Sequence, residues 1–188
     1  MRTSRVVLAV ALVAAVVVGP SFAAAAPSSI GGAVPSGSLA RAVRRTPPAP
    51  PTPATPPTPA LSTTMRDLLD RVNAERSLRG LAPMSYDDRL VLAAQQHSDD
   101  QAGMGRMTHT GSDGSTVAVR VDRVGYGWRS LAENVAFGYT DVSAVMAGWM
   151  ASDGHRRNIL SSNTHLGLGV AAGADGRLYW TQVFATPT

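Results

Sequence analysis

The chain has 188 residues, a length that suits one domain with an appendage. It contains no cysteine and no lysine, which excludes disulfides, thiolate metal sites, cysteine nucleophiles and lysine-based catalysis. Aromatic residues are only 5 %, and the net charge of +4 comes from five arginines that precede residue 61 without a single acid, so a nucleic-acid-binding face is excluded too.

Arg2 and Arg5 precede an unbroken apolar run, Val6 to Val18. That run is too short to span a bilayer comfortably. Gly19-Pro20 ends the helix expected there, and small residues up to Ala26 offer cleavage sites. Residues 1–26 therefore read as a secretory signal peptide. No cysteine follows the run, so there is no lipidation signal, and the mature protein is expected outside the membrane, secreted or extracellular. Residues 27–61 hold ten of the thirteen prolines among Ala, Thr and Ser. Such a stretch cannot bury a core and predicts an extended, disordered spacer. Its arginines Arg41, Arg44 and Arg45 suit an anionic partner such as a cell-envelope surface.

Residues 62–188 form the folded domain, long enough for one core. Thr64-x-x-Asp67 predicts a first helix carrying Met65, Leu68, Leu69 and Val72, closed by Gly80 and Pro83. Ser85-x-x-Asp88 starts a second, with Leu90, Ala93, Ala94 and His97 on one stripe. Asp113 is expected to cap a short third helix bearing Val117, Val121 and Val124. Asp141 caps a fourth, with Val142, Val145, Met146 and Trp149 inward. The period then changes. Residues 166–172 and 177–184 read as a hairpin around Gly-Ala-Asp-Gly at 173–176, and 131–137 as a further strand. The sum is an α+β domain, a three-layer α-β-α sandwich with a small, mostly antiparallel sheet.

Three side chains stand out as chemistry. His109 sits in a Gly-rich polar loop, Met107 to Ser115, of the kind that presents side chains. Glu133 is a lone acid in an apolar run, and a buried acid needs a partner. His155 follows the fourth helix in Asp153-Gly-His-Arg-Arg-Asn. Two histidines and a glutamate suit a metal or an acid/base site, though their spacing forms no compact metal motif. His97 reads as a packed helix residue, and His165 as a strand-end residue. Signatures of zinc peptidases, serine hydrolases and dinucleotide binding are absent from the sequence. Asn134, Arg156 and Asn158 read as loop-fixing residues, and Trp149 and Trp180 as core.

Several segments occur together and in order: Leu69-Asp-Arg-Val-Asn-Ala-Glu-Arg76, His97-Ser98-x-Asp100-x-Ala102, Thr108-His-Thr-Gly-Ser-Asp-Gly114, Ala132-Glu-Asn-Val-Ala136, Trp149-x-x-Ser-x-Gly-His-Arg-x-Asn-Ile-Leu160, and Tyr179-Trp-Thr-Gln-Val-Phe184. With them the chain resembles the CAP superfamily of cysteine-rich secretory, antigen 5 and pathogenesis-related 1 proteins, also called SCP domains, and within it the small secreted bacterial branch. The resemblance implies an α-β-α sandwich with a surface cleft. In eukaryotic members two histidines and two glutamates line that cleft and can hold a divalent metal. His109 and Glu133 match the first histidine and one acid. Tyr179 stands where the second histidine would be, and the Gly-His155-Arg segment stands where the second glutamate would follow. The resemblance thus implies a cleft of His109, Glu133, His155 and Tyr179. His109, Glu133 and His155 are its candidate ligands for a divalent metal such as zinc, and a cleft without metal stays open.

Three functions compete. One is a secreted, monomeric cleft protein that binds a small ligand or lipid. The second is an extracellular hydrolase of peptide or cell-wall material, using a metal or a histidine base. The third makes Glu133 a structural acceptor that pins loops through His109.

Overall fold

A computed structural model describes residues 62–188 and, ahead of them, two short strands at 11–12 and 16–18. The expected cleavage site and proline-rich linker lie outside the described residues. Within the apolar run, β1 (Ala11–Leu12) and β2 (Val16–Val18) are extended where the sequence predicts a helix. Both pair antiparallel with β4 (Trp128–Phe137), Ala11 opposite Phe137 and Val16 opposite Glu133. The β-branched valines of β2 favour that state over a helix.

The first helix of the domain, α1 (Thr63–Ser77), begins two residues earlier than expected, because the Ser62 hydroxyl accepts from the Met65 amide. A two-residue strand, β3 (Ser85–Tyr86), takes the place of the expected second cap. It precedes α2 (Asp88–Met104), which Asp87 caps and Gly105 ends in the left-handed conformation. α3 (Val117–Arg123) is capped by Thr116 and not by Asp113, whose carboxylate accepts instead from the Ser115 amide two residues on. α4 (Val142–Ala151) starts at Asp141 as expected. The segment expected as a loop after it is a fifth helix, α5 (Asp153–Ile159). The hairpin follows as β5 (His165–Ala172) and β6 (Leu178–Pro187).

The sheet runs β1-β4-β6-β5-β3, with β2 also on β4. All pairings are antiparallel except β3 with β5. Side chains alternate between its two faces, and the two halves of the core follow that alternation. Ala132, Ala136, Leu166, Leu168, Trp180 and Phe184 pack with residues of α1, α4 and α5 around Trp149. Leu131, Val183 and Ala185 pack with Leu90, Ala93 and Ala94 of α2 and with Val117 and Val121 of α3. The architecture is therefore the α-β-α sandwich. Gly167 and Gly169 let α2 lie directly on β5: a Cβ at either would overlap the backbone of Leu90 or Ala94. Among the described residues, no helix is long and apolar enough to cross a membrane.

Candidate functional site

The alternation that builds the core also sends Glu133 toward α2 and α3 and its neighbour Asn134 toward α5. Glu133 is fully buried. Its Oε1 accepts from His109 Nδ1 at 2.8 Å, and its Oε2 accepts from Arg120 at 2.6 Å. A buried carboxylate with a guanidinium and an imidazole N–H has the partners that burial demands. His109 is 15 % exposed and forms the open edge of the group. Arg120 is anchored further by the carbonyls of Ser115 (2.8 Å) and His109 (3.2 Å).

The loop that carries His109 is clamped from α2. His97 Nε2 donates to the Thr108 carbonyl at 2.8 Å, and Gln101 Oε1 accepts from the Thr108 amide at 3.1 Å. Gln101 and Ser98 both donate to the Thr181 hydroxyl on β6. His97 is fully buried, and its Nε2 lies 3.9 Å from Glu133 Oε1. Burial holds its imidazole below the usual value, against the pull of Glu133. Farther along the loop, Ser115 and Arg123 hold the Asp113 carboxyl well below the usual carboxylate range. Beside this group lies a cavity of about 210 Å³ between α2, the loop and α3. Polar residues line it, His97, Asp100, Ser112, Asp113, Arg120 and Arg123 among them, so hydrogen-bonding groups sit in its wall.

Of the four expected cleft residues, the structure unites His109 and Glu133. His155 lies in α5, and its carbonyl accepts from Asn134 Nδ2 at 3.2 Å, on the other face of β4. Asn158 completes that tie, donating to Asn134 Oδ1 and to the Glu133 carbonyl. Tyr179 stands opposite Phe137, four residues along β4 from Glu133, and its ring packs on that of Phe137 with centroids 4.7 Å apart. Tyr179 therefore lies farther along the sheet from Glu133 than His109 does. Arg120 and His97 join His109 around the carboxylate. Arg120 was legible only as a charge at an inward position, three residues after Val117 on a helix whose Val121 and Val124 face the core.

The donor set does not fit a divalent cation. Both Glu133 oxygens are engaged, one of them by a cation that belongs to the chain. Among the described residues, no group of three or more His, Cys, Asp or Glu is placed to hold a metal ion. The chemistry left to the site is hydrogen bonding in the cavity and, at His109, an imidazole oriented by the Glu133 carboxylate.

Comparison with known proteins agrees with this fold. Residues 69–184 match the family model described as CAP, cysteine-rich secretory protein family. The chain is similar to the uncharacterized membrane protein YlbC of Bacillus subtilis (strain 168), 32 % identical over 124 residues, covering 65 % of this chain and 34 % of that one. It is also similar to the uncharacterized protein YkwD of the same strain, 30 % identical over 126 residues, covering 66 % and 48 %. It therefore spans less than half the length of either relative. Among solved structures, an extracellular protein containing an SCP domain from Bacillus anthracis str. Ames is 30 % identical with a TM-score of 0.60, over 65 % of this chain and 40 % of that one. An outer surface protein from Borrelia burgdorferi shares the fold, with a TM-score of 0.62 at 19 % identity, over 66 % of this chain and 93 % of that one.

Proposed function

Because the chain belongs to the CAP family of cysteine-rich secretory proteins, we propose that it is an extracellular binding domain whose cleft takes a small polar ligand and works without a metal. The observation that carries this reading is the cavity beside Arg120, with charged and hydroxyl side chains of both hydrogen-bonding senses around about 210 Å³. Location outside the cell is supported by the signal-peptide pattern of residues 1–26 and by the extracellular description of the Bacillus anthracis protein. In that setting the basic linker arginines suit an anionic envelope polymer, and wall sugars and short peptides are the polar molecules at hand. A second groove, of about 260 Å³ between α1 and α4, is lined by Ala74, Met146, Ala147 and Met150 beside Arg71, Glu75 and Ser143 and offers an apolar ligand an alternative seat.

The test is amide NMR of the full chain with N-acetylglucosamine, the dipeptide Ala-Ala and palmitate as separate probes. The expected result is saturable shifts at Asp100, Ser112 and Arg120 with a polar probe. Shifts confined to α1 and α4, seen with palmitate alone, would overturn it.

A second reading, hydrolysis, rests on the His109–Glu133 pair. A carboxylate that fixes Nδ1–H orients an imidazole as a general base. Turnover of wall-derived peptides that His109→Gln abolishes without loss of fold would establish it, and turnover unchanged by that substitution would remove it.

A further inference from the structure

We infer that the outer edge of β4 is a strand-addition site for an extended apolar peptide, and that residues 11–18 occupy it until the leader is removed. The sheet has two ends, and they are finished differently. At the β5 end, β3 pairs with His165 and Leu166. Farther along β5, the Gln95 carboxamide donates to the Val170 carbonyl at 2.9 Å and accepts from the Val170 amide at 3.1 Å. A helix side chain thus satisfies both backbone groups that a visiting strand would use. At the other end, among the described residues, the neighbour of β4 is the apolar run of the expected leader. Val16, Val17 and Val18 lie opposite Glu133, Ala132 and Leu131, and Ala11 and Leu12 lie opposite Phe137 and Ala136.

A free edge presents a row of unpaired amides and carbonyls, and folded proteins blunt it with proline, charge or a bulge. The stretch 131–137, Leu-Ala-Glu-Asn-Val-Ala-Phe, contains no proline. The irregularity of β4 lies before it, between Trp128 and Ser130. Its single charge is Glu133, which is buried and already neutralised by Arg120 at 2.6 Å, so an added strand desolvates no unpaired ion. Cleavage after the small residues that end at Ala26 takes β1 and β2 away and leaves this edge bare, and the inference rests on that reading of residues 1–26. The chemistry of the next occupant follows from the present one. Main-chain hydrogen bonds supply the affinity of an added strand, and β-branched residues favour the extended state it needs. The occupant in the structure is uncharged, with Ala-Leu and Val-Val-Val at the paired positions. The partner is therefore an uncharged peptide segment rich in β-branched residues, antiparallel to the strand that carries Glu133. This edge is separate from the polar cavity, whose wall comes from α2, α3 and the loop between them.

The experiment is amide hydrogen exchange, read by NMR, on the full chain, on the full chain with Leu12→Pro and Val17→Pro, and on the chain as it is exported. Proline withholds an amide and breaks strand pairing. The probe is a synthetic peptide of residues 11–18 with an arginine tail, and its control carries Val17→Pro. In the full chain the amides of 131–137 are expected to exchange slowly throughout. In the other two forms, those that face away from β6 should exchange at least about tenfold faster while β5 and β6 keep their protection. The peptide should restore the slow rate with saturation, and the proline control should not. A peptide without effect would overturn the inference, and so would full protection of 131–137 in the proline variant. Loss of protection across β5 and β6 in that variant would overturn it as well, because residues 11–18 would then be part of the fold and not a replaceable strand. An exported chain whose intact mass still includes residues 1–26 would do the same, since the edge is never vacated. An exported chain that elutes as a dimer and ignores the peptide would give the edge to a second copy and likewise overturn it. Each of these outcomes leaves the cavity reading to its own test at Asp100, Ser112 and Arg120.

Discussion

Replacing Arg120 by methionine tests the electrostatic centre of the fold. The substitution keeps much of the side-chain length and removes three hydrogen bonds, to Glu133, Ser115 and His109. The severe loss is the first, because Glu133 is fully buried and would be left with His109 alone. Breaking a buried ion pair by removing one member costs about 3–5 kcal/mol. Against a total stability of roughly 5–15 kcal/mol for a domain of this size, that is a large fraction. Urea unfolding of the full chain at pH 7, followed by circular dichroism, reads the difference as a lower midpoint with an unchanged slope. Glu133→Gln in the same chain should recover part of the loss, and the double-mutant cycle should give a coupling of about 1–3 kcal/mol. A cost below about 1 kcal/mol, or costs that simply add, would refute the claim that the pair neutralises Glu133.

Gly167→Ala should destabilise by about 1–3 kcal/mol or more, since its methyl has only the Leu90 backbone to push against, and chemical denaturation measures it. For His97, burial keeps the folded imidazole neutral while the unfolded chain takes up a proton below about pH 6.5. Stability should therefore fall as pH drops from 6.5, by up to about 1.4 kcal/mol per unit, and the fall stops below the folded value. The groups that set that value are Glu133, Arg120, Asp100 and the Thr108 carbonyl. His97→Gln should flatten this part of the pH profile, and an unchanged slope would count against the assignment. Tyr126 gives the alkaline counterpart. Burial pushes its phenol up to about 12, helped by Asp87 and opposed by Arg89, while its hydroxyl donates to His165 Nδ1 at 2.7 Å. The unfolded phenol ionises near pH 10, so this contribution is intact below 10 and is lost as pH rises toward 12. Tyr126→Phe should remove that alkaline slope in a thermal-melt series. Trp149→Ala should cost about 3–5 kcal/mol, because its side chain is fully buried at the centre of the cluster under α1, α4 and α5.

Local signals in the sequence were enough wherever the physics is local. Asp141 caps its helix because its oxygen can reach the Ala144 amide three residues on. The hairpin around 173–176 follows from turn residues between two alternating runs. The stripe Leu90, Ala93, Ala94 and His97 is buried as its spacing requires, and the paired glycines at 167 and 169 prove to be where α2 meets the sheet. The order of motifs also sufficed for the family and the sandwich. Where two local options compete, sequence decided less well. Asp113 and Thr116 can each begin a helix, and Thr116 prevails because Asp113 is held by Ser115 and Arg123. α5 was hidden because Asp-Gly-His-Arg-Arg-Asn lacks an apolar period, and its helix is fixed instead by Asn134 and Asn158 against the sheet.

The candidate site depended on distances that no spacing encodes. A lone acid in an apolar run announced that Glu133 needs a partner, but not which one. Tyr179 lies four residues along β4 from it, opposite Phe137. The fold then brings a helix with an inward arginine to 2.6 Å and a loop histidine to 2.8 Å. Residue order alone dictates which segments fold, which face of each is buried, and that one buried charge must be met. That Arg120 meets it is a product of packing in three dimensions, because the balance at a buried carboxylate turns on contacts of a few ångströms between elements far apart in the chain.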